Sequence, residues 1–199
     1  MASRRIAIMG GTFDPIHIAH LLIAEEARVQ FGLDEVVFMP NNLPPIPKHE
    51  VLSPADRVNM VKLAIAGNDH FTVSTIEIDR EGPSYSYDTV LTLKAELPFV
   101  EQIYFLTGAD AILGLQYWRN YEELLSECEF IAATRPGFDL DALRTTMPAA
   151  LARRVFFLPI PGLEISSTNI RNRVKEGRSI RHLTPDAVVG YIQGKGLYR

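Results

Sequence analysis

IAIMGGTFDPIHIAH, residues 6–20, carries a short apolar run into a glycine turn, an Asp-Pro step and two histidines three residues apart. Locally this reads as a strand over 5–9 that ends in Gly10-Gly11, followed by a helix that begins near Ile18. Glycines let backbone come close to a phosphate, and the unpaired N–H groups of a helix start point at the same place. His17 and His20, at i and i+3, share one face of that helix's first turn. A strand, a glycine turn and a helix in succession open a βαβ unit, here one that forms an anion site with two titratable donors.

Outward from this stretch, strand-like and helix-like segments keep alternating. Strands are predicted over 5–9, 35–39, 71–78, 102–107, 130–133 and 155–158, which is the pattern of a parallel sheet covered on both faces. The expected fold class is therefore α/β: a doubly wound, Rossmann-like parallel sheet with helices on both faces. It forms one domain over 1–199, with a small C-terminal helical portion. Ser53-Pro54 offers an N-cap with proline at the first helical position. Val58, Val61 and Ile65 then mark one apolar face, and Gly67 closes the segment. Thr184-Pro185 repeats that start and Gly194 that stop. The segment 39–54, with Pro40, Pro44, Pro45 and Pro47, reads as a loop, as does 159–167.

In a doubly wound sheet the ligand crevice opens at the carboxyl ends of the strands, where the winding reverses. Under the commonest strand order, 3-2-1-4-5, the first and fourth strands flank that point. The first ends in Gly10-Gly11-Thr12 and the fourth in Gly108-Ala109-Asp110, so two glycine turns are expected to converge on one crevice. The composition, 199 residues with a net charge of −4, leaves no basic excess for a dedicated nucleic-acid binder, so a polyanion must be held by a local cluster. Cys128, the single cysteine, reads as a small buried apolar residue. No stretch is long enough to span a bilayer, and 6–9 is too short for a signal-peptide core, which makes the cytoplasm the expected setting.

Neither G-x-x-x-x-G-K-[ST] nor G-x-G-x-x-G occurs, so the glycines are not those of a P-loop or a dinucleotide fingerprint. A second constellation is ISSTNIR, 165–171. Its hydroxyls can cap a helix whose N-terminus accepts an anion, while Arg171 supplies a planar cationic fork. Arg173, Lys175, Arg178 and Arg181, which follow, read as a solvated face. The histidine pair lacks a third ligand in a metal-binding pattern.

GGTFDPIHIAH with the distant ISSTNIR resembles the nucleotidyltransferase superfamily whose signatures are G-x-F-x-P-x-H-x-G-H and I-S-S-T-x-x-R. PNNLPP, REGPSYSYDT, GADAILGLQYW and TRPG between them make the chain similar to the bacterial nicotinate-nucleotide adenylyltransferases in particular. The resemblance covers nearly the whole chain and implies the reaction of ATP with nicotinate mononucleotide to give nicotinate adenine dinucleotide and pyrophosphate. It implies that His17, His20, Arg171 and Lys48 act on the phosphates. Gly10, Gly11, Thr12 and Phe13, with Gly108, Asp110, Arg135, Ser166, Ser167, Thr168 and Ile170, would hold ATP. Ser86, Tyr87, Trp118 and Arg119 would take the nicotinate mononucleotide. Mg²⁺ would arrive on the ATP phosphates, and no protein metal cage is expected.

The chemistry is consistent with that set. A phosphate monoester with a second pKa near ~6 is already largely dianionic at neutral pH and needs no general base. Positioning and neutralisation of charge are what the step requires. Two positions depart from the family pattern: Ala19 replaces a usual glycine, and PPIPKH at 44–49 replaces a more frequent P-P-H-K, with Lys48 read as the phosphate contact. Phosphopantetheine adenylyltransferase and a nicotinamide-mononucleotide-preferring enzyme are the enzyme alternatives. A catalytically silent nucleotide-binding module is the alternative of another class. The expected partners are small molecules, with no nucleic acid or membrane, and the sequence accommodates either a monomer or a homo-oligomer.

Overall fold

The structure is a computed structural model and describes residues 4–42, 51–137 and 147–199. Its strands are β1 (Arg4–Gly11), β2 (Glu35–Pro40), β3 (Phe71–Val73), β4 (Val100–Gly108), β5 (Glu129–Thr134) and β6 (Val155–Pro159). They form one sheet in the order β3-β2-β1-β4-β5-β6, with every neighbouring pair parallel. The helices are α1 (Ile18–Phe31), α2 (Pro54–Ile65), α3 (Ile76–Asp79), α4 (Ser86–Glu96), α5 (Ala109–Ile112), α6 (Tyr121–Glu127), α7 (Ala149–Ala152), α8 (Ser167–Lys175) and α9 (Asp186–Lys195).

Alternation along each strand divides the core into two layers. Ala7 and Met9 of β1, Val36 and Phe38 of β2, and Tyr104 and Leu106 of β4 face one layer. There they join Ala24 and Ala27 of α1, Met60 and Val61 of α2, Ile170 of α8, and Val188 and Ile192 of α9. Ile6 and Ile8, Val37 and Met39, and Ile103 and Phe105 face the other, with Val90 and Leu93 of α4, Ile112 of α5 and Leu124 of α6. Ile6 and Ile8 are fully buried, each contributing roughly 1.5–3 kcal/mol of burial free energy. Cys128 is a free thiol in the second layer, and burial pushes its pKa up to about 12, so it behaves as packing.

Three local expectations are corrected. The strand expected over 71–78 stops at Val73: the Ser74 N–H makes a last bond to β2, on the Phe38 carbonyl (2.9 Å), and the chain then turns into α3, whose Ile78 and Asp79 amides return to the Thr75 carbonyl. The C-terminal helix is closed by Gly196 in a left-handed conformation (φ 62°), whereas Gly194 lies inside it. Its start does not use Thr184 as a cap either: that hydroxyl donates to the Ile16 carbonyl at 2.8 Å. Ser53 does cap α2, accepting from the Asp56 amide at 3.1 Å, with Pro54 at the first position.

The winding reverses between β1 and β4, which pair with Met9 opposite Leu106. The Gly10–Thr12 turn and the Gly108–Asp110 turn are thereby brought side by side at the carboxyl edge.

Candidate active site

A crevice of about 800 Å³ opens at this edge, lined by Gly10, Gly11 and Thr12 from the first turn and by Asp110 and Ala111 from α5. Ser84, Tyr85 and Ser86 bound it on another side, facing Tyr117, Trp118 and Arg119. Trp118 stands edge-on to Phe105 (5.8 Å between centroids), and the Arg119 guanidinium lies 4.6 Å over the Tyr85 ring. One end is therefore glycine backbone and the other aromatic with a cation.

The histidine turn lies beside the glycine end. Phe13 takes a left-handed conformation (φ 50°), and its ring is buried beneath Gly11, against His20 and Phe38. A Cβ on Gly11 would meet that ring at 2.9 Å, so this glycine answers to its own neighbour as well as to any ligand. Phe13 therefore serves the site through backbone, its side chain being core. His17 precedes α1 with an extended backbone, and its N–H donates to Nδ1 of His20 at 3.2 Å. An Nδ1 that accepts leaves the neutral ring's proton on Nε2, so main chain fixes His20 as an Nε2–H donor. The two rings stack at 3.7 Å. Desolvation lowers the His17 pKa to about 4, and burial followed by the charge of His17 holds His20 well below its ordinary value. Both imidazoles are neutral at pH 7.

The second motif reaches the first across about 150 residues. Ser167 Oγ donates to the Pro15 carbonyl (2.8 Å), and Arg171 Nη1 to the Asp14 carbonyl (2.8 Å). Ser166 caps α8, accepting from the Asn169 amide at 3.2 Å, and Thr168 Oγ1 accepts from Arg171 Nη2. Of these hydroxyls only that of Ser167 spends its proton on the protein; those of Ser166 and Thr168, both exposed, accept and keep their O–H to donate, and Ile170 is fully buried in the core. From 166 to 170, the Ser167 and Ile170 side chains are turned to the protein, while Ser166, Thr168 and Asn169 are exposed. Arg171 has more N–H donors than these two contacts use.

The remaining expected residues divide. Gly108 ends β4 and Arg135 is exposed just beyond β5, both at the carboxyl edge. Tyr87 packs against the core layer and is not among the crevice residues, where Tyr85 stands instead. Lys48 and the PPIPKH segment lie outside the described residues. Among the described residues no group of three or more His, Cys, Asp or Glu is placed to hold a metal ion, and no helix is long and apolar enough to cross a membrane.

Several residues escaped the sequence reading. Asn41 lines the crevice, with Nδ2 on Thr12 Oγ1 (3.5 Å) and a buried Oδ1 that has no hydrogen-bond partner. Glu77 also lines it, buried, accepting from Thr89 Oγ1 at 2.8 Å, and burial raises its carboxyl pKa. Tyr198 donates its phenol to the buried Asp14 carboxylate at 2.7 Å. Arg57 is 1% exposed. For Arg57 a signal existed: 57, 61 and 65 are spaced i, i+4, i+8, which sets an arginine on the apolar stripe of its helix.

Residues 8–173 match the cytidylyltransferase-like family. A protein of Moorella thermoacetica named as a probable nicotinate-nucleotide adenylyltransferase is 49% identical over 199 residues, covering 98% of this chain and 92% of the relative. Its namesake in Roseiflexus sp. (strain RS-1) is 47% identical with full coverage of both chains. Among solved structures, Plasmodium falciparum nicotinic acid mononucleotide adenylyltransferase complexed with NaAD superposes with a TM-score of 0.78 over 98% of this chain and 97% of that one. At 22% identity the likeness is one of fold.

Proposed function

The chain belongs to the cytidylyltransferase-like family and, within it, to the nicotinate-nucleotide adenylyltransferases, and from that premise we propose how its own residues perform the transfer. The enzyme is a nucleotidyltransferase that joins ATP and nicotinate mononucleotide into nicotinate adenine dinucleotide and pyrophosphate. A phosphate oxygen of the mononucleotide attacks the α-phosphorus of ATP, and the bond from that phosphorus to the β-bridging oxygen breaks as pyrophosphate leaves. With the attacking phosphate already dianionic, no residue has to remove a proton.

The triphosphate is assigned to the Gly10–Thr12 turn and the start of α1, whose first turn carries no acidic residue to repel it. His20, held as an Nε2–H donor, and His17 stabilise the charge that builds on the phosphates. Arg171, already anchored on the Asp14 carbonyl, spends its remaining donors on the departing pyrophosphate. Gly108, Asp110, Arg135 and the 166–170 segment frame the adenosine. Mg²⁺ would come with the nucleotide substrate and would offset part of its phosphate charge. Ser86, Trp118 and Arg119 take the pyridine ring, and the Arg119 cation favours a carboxylate over a neutral amide.

The observation that supports this assignment is the pair of 2.8 Å contacts from Ser167 and Arg171 to Pro15 and Asp14, which fasten the two motifs to each other, next to the Gly10–Thr12 end of the crevice. The test is pyrophosphate release from ATP and Mg²⁺ with nicotinate mononucleotide, nicotinamide mononucleotide or phosphopantetheine. Turnover is expected to be highest with the acid mononucleotide. Product from phosphopantetheine and none from nicotinate mononucleotide overturns it. The setting proposed is cytoplasmic.

A further inference from the structure

Arg57 takes no part in the chemistry above, yet it is the bulkiest side chain buried to this degree among the described residues. Its guanidinium makes no ion pair among them. Nη1 donates to the Thr12 carbonyl at 2.9 Å, Nη2 to the Asn41 carbonyl at 2.8 Å and, at 3.5 Å, to that of Asn42, and Nε to the Leu52 carbonyl at 3.1 Å. Three separate stretches thus meet on one cation: the turn after β1, the exit from β2 and the lead-in to α2.

Such a residue is a poor choice for stability alone. Burial disfavours the charged form of Arg57, with Asp14 and Tyr198 opposing that only through longer-range charge. A buried charge replaced by apolar side chains of similar volume is often neutral or stabilising. What leucine or methionine cannot do is hold main-chain carbonyls in fixed directions. A trans peptide sets its C=O and the following N–H on opposite sides. With the Thr12 carbonyl turned toward α2, the Phe13 N–H is turned the other way, and the Asn41 carbonyl does the same for the Asn42 N–H. The Asn41 amide itself donates to the Gly11 carbonyl at 3.0 Å, so the lattice runs through the glycine turn. It also sets Asn41 in the crevice wall, where its buried Oδ1 is an acceptor without a partner.

We propose that Arg57 is a positioning residue for the nucleotide half of the site: its fork fixes the Thr12–Phe13 peptide and Asn41 so that the glycine turn meets the triphosphate in a single preorganised shape. The inference rests on the assignment of that turn to ATP. It also adds a fixed positive charge behind the turn, in a part of the molecule where water does not screen it.

The experiment compares wild type, Arg57→Lys and Arg57→Met. For each, the affinity for MgATP is measured by calorimetry, and the two KM values and kcat by pyrophosphate release. Arg57→Lys keeps the charge but loses the fork. It is expected to weaken MgATP binding and raise the ATP KM by on the order of tenfold, and to lower kcat, while the nicotinate mononucleotide KM stays within about twofold. Arg57→Met should do the same more strongly. A purely structural role would move both KM values together or neither. Either pattern in Arg57→Lys overturns the proposal, even where Arg57→Met does not fold. Wild type that binds MgATP without turning over nicotinate mononucleotide would discard the functional reading, while the calorimetric comparison would still decide the role of Arg57.

Discussion

His17 and His20 are the residues at which burial and chemistry are most tightly joined. The fold keeps both imidazoles neutral by withdrawing them from water, with the His17 pKa lowered to about 4. Because the unfolded chain takes up these protons first, the stability they contribute is complete above the ordinary histidine pKa. It is lost as the pH falls from there toward about 4. For His17 this amounts to on the order of 2–3 kcal/mol. Urea unfolding between pH 7 and pH 4 should therefore show wild type losing more stability than His17→Asn, which cannot titrate; parallel losses would sink the account. For catalysis the relevant proton is the one that main chain fixes on Nε2 of His20. His20→Ala is expected to cut kcat by about two orders of magnitude or more while leaving the circular dichroism spectrum unchanged, and unaltered turnover would remove the histidine from the mechanism. Gly11, in the turn assigned to the triphosphate, is denied a side chain by the Phe13 ring beneath it.

Among the elements, α8 is the one whose placement matters most. It is short and largely exposed. Its internal contacts, the Ser166 cap and the bond from Arg173 Nε to Asn169 Oδ1 (3.0 Å), would hold it anywhere. What seats it is Ile170 in the core and the two donors given to the histidine turn, from Ser167 and Arg171. Ser167→Ala leaves the Pro15 carbonyl without this partner. It is expected to cost about 1 kcal/mol of stability and to raise the ATP KM several-fold. Equilibrium denaturation and steady-state kinetics check the two effects, and a variant unchanged in both would show that the link does not carry the site. The C-terminal segment adds a second fastening, through Tyr198 on Asp14 and Thr184 on Ile16, so the turn that carries the histidines is held from three directions.

Over the whole molecule, the doubly wound sheet puts its reversal between β1 and β4, and the crevice opens where the two glycine turns meet. The alternation of strands and helices and the reversal point were legible in the sequence because each is written in short-range signals: continuous apolar runs, glycines at strand ends, and Ser or Pro at helix starts. Cys128 as packing was legible for the same reason. Position in a stripe was there to be read for Arg57, but a charged residue is expected in water, and nothing local says which carbonyls it will meet. Glu77 was hidden differently, in a segment that reads as strand and folds as the α3 turn, because an edge strand with one neighbour gives up its ladder easily. Asn41 and Tyr198 carried no signal at all, since their partners Thr12 and Asp14 lie far away in the chain. By itself, then, the sequence determined the architecture and the place of the crevice, which follow from apolar patterning and from motifs whose residues are neighbours, while the resemblance of those motifs to a family named the class of chemistry. Only the tertiary structure decided which hydroxyl donates to the histidine turn, which tautomer His20 holds and which buried cation bonds the carbonyls beside the glycine turn. Those depend on hydrogen bonds between segments that meet only after the chain has closed around its core.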